Sequence, residues 1–95
     1  MPPGFEWDAA KNAASIAKHL IDFGDAVRIF EGPVLEQTDH RRDYGEERVA
    51  VTGAVIGLEL FVVHTVRGDN RRIISARRAS KYERDTYYRA YPRER

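Results

Sequence analysis

The chain has 95 residues, no cysteine and three scattered histidines, which leaves room for one core and one domain over residues 1–95. Disulfides, a thiolate nucleophile and any His/Cys metal-ligand spacing are excluded, so neither a metal nor another cofactor is expected. The formal charge is only +1, yet residues 1–66 carry six Lys/Arg against eleven Asp/Glu, and residues 67–95 carry ten against four. Such polarity fits a basic face for nucleic acid, phosphate or an acidic protein, and equally a solvated charged surface.

The longest apolar run, Leu60 to Val63, is too short to cross a bilayer, and the MPPGF opening has no signal-peptide regions. The expected setting is therefore the cytoplasm, away from any membrane.

In chain order, Asp8 caps a first helix to about Leu20, in which Ala9, Ala13, Ile16, Ala17 and Leu20 recur at helical spacing. Asp22 and Asp25 open a second, shorter helix whose buried stripe is Phe23, Ala26, Val27 and Phe30, closed by Gly32 and Pro33. The period then changes to two. A short strand at Val34 to Gln37, a polar loop at Asp39 to Gly45 and strands at Arg48–Gly53, Leu58–Val66 and Arg71–Arg78 read as an antiparallel meander with turns at Gly57 and Gly68. Ser80 and Glu83 have capping-box spacing and open a last helix that Pro92 stops. The expected fold is α+β: two N-terminal helices, three or four antiparallel strands and one C-terminal helix.

The most informative stretch is RRIISARRAS, Arg71 to Ser80, where an apolar strand centre is closed at both ends by paired arginines. Gathering four guanidinium groups at one strand calls for an anionic partner. The last helix sets Tyr82, Tyr87, Tyr88 and Tyr91 among basic residues; the Tyr87/Tyr91 pair reads as a packing stripe, and Tyr82 and Tyr88 as stacking platforms for a base or a partner. Trp7 reads as a core anchor rather than a base platform. His64, at the parity of Leu60 and Val62, reads as a hydrogen-bonded buried residue, and Ser75, with no triad partner, as a strand hydroxyl bonded to backbone.

Several motifs in one order resemble the BrnT toxins of bacterial type II toxin–antitoxin systems: FEWD at Phe5 to Asp8 with Lys11, Lys18-His19 with Phe23 and Ala26 behind it, GEER at Gly45 to Arg48, and RIISARRA at Arg72 to Ala79 with Glu83 after it. The resemblance implies a RelE-like ribonuclease bound by a BrnA-type antitoxin, in a complex of two toxins and two antitoxins. With no helix-turn-helix or zinc-finger pattern in the chain, DNA contact would belong to that partner. The chain departs from the family pattern at Ser15, where Asn is usual, and at Leu20, where Gly is usual. A glycine there ends a helix through a left-handed residue, so Leu20 implies either a differently closed helix or a strained one.

For RNA cleavage by 2′-hydroxyl attack, a base, an acid and cations around the phosphorane are needed. The catalytic candidates are Lys18, Arg48, Arg77, His19 and Glu46, and the RNA-binding candidates are Arg67, Arg72, Arg78 and Tyr88. Arg48 and Arg77 are expected to project from the polar sheet face and clamp one phosphate, while Arg67 and Arg72 meet at one rim of a hairpin. Each arginine could instead pair with Glu46, Glu47, Glu59 or Asp69 across strands. Lys18 and His19, about 100° apart on the helix, would not both face one ligand, which favours Lys18 as the phosphate binder or proton donor. His19 could simply meet the terminal carbonyls of its helix. Glu46 would serve as base or orient Arg48. A non-enzymatic module that binds RNA or an acidic protein through the basic half is the alternative from another class.

Overall fold

A computed structural model describes residues 1–39, 47–55 and 57–93, without the side chains of residues 38 and 39. Glu46 and most of the polar loop lie outside the described residues. The elements are β1 (Phe5–Trp7), α1 (Ala9–His19), α2 (Phe23–Ala26) continued by a 3-10 turn (Val27–Glu31), β2 (Leu35–Asp39), β3 (Arg48–Val55), β4 (Leu58–Arg67), β5 (Asn70–Arg78) and α3 (Lys81–Ala90).

The strands form one five-stranded sheet in the order β1-β5-β4-β3-β2. The β2 to β5 meander is antiparallel as expected, but β1 adds a parallel strand beside β5, with Glu6 opposite Arg72 and Trp7 opposite Ile73. The sheet is therefore mixed. Three residues are too few to carry a period, which is why the FEW segment does not read as a strand.

One sheet face carries the core. Val51, Leu60, Val62, Ile73 and Ala76 pack there against Phe23, Ala26, Val27 and Ile29 of α2 and the 3-10 turn. The approach is close because β3 offers Gly53, where an added Cβ would lie 2.8 Å from Ile29 Cβ. Trp7 packs edge-on against Phe23, with ring centres 6.2 Å apart, in the anchoring role expected of it. Phe30 is only half-buried, stacked beside Phe5 at 5.5 Å with the Arg71 guanidinium 4.4 Å above its ring.

A register shift between Val63 and His64 sets the phase of β5. Val63 pairs with Ser75 and His64 with Ile73, so Ile74 is the extra residue of a bulge and the inward pair becomes Ile73 and Ala76 instead of Ile74 and Ala76. His64 has the expected inward parity and is 3 % exposed, but its Nδ1 finds no hydrogen-bond partner among the described residues. Burial, with the Arg71 charge beside it, holds its pKa below the ordinary imidazole value, so the neutral ring packs edge-on against Phe30.

The two long helices dock differently. In α3, Ser80 and Glu83 form the expected capping box; Tyr87 is 4 % exposed and donates to Pro33 O at 2.8 Å, and Tyr91 donates to Val34 O at 3.0 Å. In α1, Asp8 caps the backbone at Ala10 and Lys11, but the face against the sheet is Asn12, Ser15 and His19. Ser15 is buried and donates to Ile21 O at 2.8 Å, while Asn12 accepts from Phe23 N and donates to Asp22. The apolar stripe faces solvent, with Ile16 41 % and Leu20 88 % exposed. Leu20 ends α1 in the left-handed region at φ 59, so the helix closes as it would with glycine, at the cost of strain.

Candidate functional site

Opposite the core, the other sheet face carries the cationic side chains. Thr65 pairs with Arg72, and Arg72 with Glu6; since Val49 pairs with His64, Arg48 falls beside Thr65, giving a row Arg48, Thr65, Arg72, Glu6 across four strands. Thr65 is buried and donates to Glu47 O at 2.8 Å, fixing the start of β3 to this row. The next row is Ala50, Val63, Ser75, and beyond it lie Thr52, Phe61 and Arg77.

Arg48 and Arg77 therefore share a face, as expected, but two strands and two rows apart, roughly 16 Å between their backbones. That spacing suits different phosphates of an extended strand better than one phosphate held between them.

Arg77 and Arg72 are held by carboxylates from elements other than those the sequence suggested. Glu83 of α3 accepts from both terminal nitrogens of Arg77 at 2.9 Å, and the same guanidinium donates to Arg78 O and lies 4.3 Å over the Phe61 ring. Burial raises the Glu83 pKa, but the hydrogen bonds from Arg77 and Ser80 outweigh it and hold the carboxyl below its usual range. Glu6 of β1 accepts from Arg72 at 2.8 Å and from Asn70, and the Arg72 hydrogen bond lowers its pKa most. Arg67 also acts on Glu6, so the two like charges at this rim are relieved by a carboxylate of the chain itself.

Two candidates are placed elsewhere. Arg78 pairs with Leu60 of the core face and so lies on the other side of the sheet from Arg77. The Tyr88 hydroxyl donates to Glu59 at 2.8 Å, and Arg93 sits 4.1 Å over its ring, so that face is occupied. Tyr82 is the open aromatic of α3, 75 % exposed.

At the outer edge of β5, beyond the end of β1, the C-terminal half of α1 and the bulge enclose a groove of about 280 Å³. Lys18 and His19 both line it, together with Lys11, Ala14, Ile74 and Ser75. Both thus reach one site, where the helical spacing favoured one. Ser75, exposed and without the expected backbone bond among the described residues, lines this groove and sits in the row between the arginines. Sequence reading passed over Ser75 and Ile74 because alternation hides a bulge, and over Glu83 as an arginine partner although its cap spacing was legible.

The fold and site define a small α+β domain with arginines on one sheet face and a groove at its edge lined by Lys18 and His19. Among the described residues no three His, Asp or Glu side chains converge as metal ligands. Residues 7–83 match the family model for the ribonuclease toxin BrnT of type II toxin–antitoxin systems, and the chain belongs to that family. Membership implies an antitoxin as partner. No curated protein matches the chain.

Proposed function

We propose that this chain is a metal-independent endoribonuclease of RelE-like architecture, acting at the junction of the α1 groove and the arginine face. The observation that carries the reading is that Lys18 and His19 line one groove with Ser75, which itself belongs to the cationic face. In the proposed reaction a 2′-hydroxyl attacks the adjacent phosphorus as His19 takes up its proton, and the P–O5′ bond breaks as Lys18 gives a proton to the leaving oxygen, leaving a 2′,3′-cyclic phosphate and a 5′-hydroxyl. Lys18 neutralises the phosphorane, and Arg72 and Arg48 hold flanking phosphates. Arg77, gripped by Glu83, supplies a fixed charge further along the strand.

The same reading assigns inhibition to a BrnA-type antitoxin in a complex of two toxins and two antitoxins, leaves DNA contact to that antitoxin, and places the protein in the cytoplasm. No helix among the described residues is long and apolar enough to cross a membrane.

The test is incubation of antitoxin-free protein with defined RNA in EDTA. Fragments ending in 2′,3′-cyclic phosphate are expected, with a loss of at least about 100-fold in a Lys18→Ala/His19→Ala double variant and a smaller, graded loss for Arg48→Ala or Arg72→Ala. Intact RNA that still binds in a salt-dependent manner would replace the enzyme with a binding module.

A further inference from the structure

Helix α1 is turned against hydrophobic bookkeeping. Its apolar residues Ile16 and Leu20 stand in water while Ala14, Lys18 and His19 line the groove against β5. An orientation that forgoes burial is expected where a surface has to be presented to something. The opposite wall is equally particular, because the bulge removes Ile74 from cross-strand pairing and brings it into the groove lining. Bulges re-aim side chains beside functional sites.

The lining surface of the groove these two devices make is largely apolar, with Lys11, Ser15, Lys18, His19 and Ser75 as its polar residues. At about 280 Å³ it falls just short of the roughly 300 Å³ at which pockets for drug-sized ligands begin. Resting on the reading of this face as RNA-binding, we propose that the groove is a base-selecting pocket. It takes one unstacked nucleobase of a single RNA strand, packed against His19 and Ile74, with Ser75 Oγ meeting the base edge and Lys18 the attached phosphate.

An RNA base is favoured over an apolar protein side chain by the charge around it. Lys11 and Lys18 have no ion-pair partner among the described residues, and the groove meets the row of Ser75 between Arg72 and Arg77. A strand tracking those cations would bring its bases to the apolar floor, the usual way in which single-stranded RNA is read. The distinguishing residues are Ala14 and Ile74, which set the width, and Ser75, which reads the edge.

The experiment uses uncleavable 2′-O-methyl octamers of adenine, cytosine and uracil, with binding followed by fluorescence anisotropy for the wild-type chain, Ala14→Leu and Ile74→Ala. Ala14 is an exposed helix position where leucine is well tolerated, so Ala14→Leu fills the groove without threatening the fold. The wild type is expected to prefer one octamer by about tenfold, as pocket contacts of this kind allow. Ala14→Leu should bring all three within about twofold while leaving the salt dependence unchanged, since the phosphate contacts remain. Equal binding of all octamers by the wild type, or an unchanged ranking in both variants, overturns the pocket.

Cleavage of a mixed-sequence RNA, run in parallel, separates the two readings. Active protein whose cut positions are identical in wild type and Ala14→Leu keeps the ribonuclease and removes the pocket. Inactive protein whose base preference is abolished by Ala14→Leu keeps the pocket and removes the ribonuclease.

Discussion

Helices α1 and α3 are both announced by N-terminal caps, yet they meet the sheet in opposite ways. In α3 the aromatic side goes in: Tyr87 is buried, Tyr91 donates to a carbonyl before β2, and Glu83 ties the first turn to Arg77. In α1 the polar side goes in, and contact is made through Ser15, Asn12 and His19 while Ile16 and Leu20 stay exposed. The difference teaches that amphipathic pattern sets a helix's orientation only when burial is its main task. Helix α3 is a brace, and α1 is one wall of a groove.

Truncation of the two apolar stripes sharpens this contrast most. Tyr87→Ala removes a buried ring and leaves Pro33 O without its donor, so it should cost about 3–5 kcal/mol. Ile16→Ala, at a half-open position, should stay within about 0.5 kcal/mol. Urea denaturation of both variants is the measurement. A comparable loss in Ile16→Ala would mean that α1 packs by its apolar side after all.

A smaller effect is expected at the Arg77–Glu83 pair, which pins α3 to β5. Because the Arg77 side chain is 43 % exposed, solvent screening limits the coupling, and a double-mutant cycle with Arg77→Met and Glu83→Gln should give about 1 kcal/mol at neutral pH. The Glu83 pKa in the folded chain lies below its ordinary value of 4.5. The unfolded chain therefore takes up the proton first, so the coupling is fully present above pH 4.5 and fades as pH falls through the folded pKa. A cycle of the same size at pH 3 and pH 7 would show that packing against Phe61, rather than the ion pair, holds the helix.

How far the sequence reveals these arrangements depends on how local each signal is. Caps, turns and the alternation of β3 to β5 depend on neighbouring residues, and they were readable; that Lys18 and His19 line one groove was not, because helical spacing alone sets their directions about 100° apart. Strand β1 was hidden because its pairing joins residues more than sixty positions apart, and with it the Glu6–Arg72 pair. The bulge at Ile74 was hidden because IISA alternates as well in either phase. The exposed side of α1 was misleading for a physical reason: periodicity reports which residues could be buried together, not whether the fold spends them that way.

The last and smallest effect concerns the end of α1. Leu20 occupies φ 59, a conformation that costs a side chain with a Cβ about 1–2 kcal/mol, and at 88 % exposure it recovers almost none of this by burial. Leu20→Gly relieves the strain but frees the unfolded chain, which takes back part of the gain. The net expectation is a stabilisation of about 0.5–1 kcal/mol, or a rise of roughly 3–6 °C in Tm for a chain of this length, read by calorimetry. If the groove wall depends only on where α1 ends, RNA binding by Leu20→Gly should equal that of the wild type, because the backbone bond from residue 20 N–H to Ile16 O survives the change. A stabilised variant with weakened RNA binding would instead show that the Leu20 side chain is itself part of the binding surface, and the exposed side of α1 would then belong to the site together with its groove.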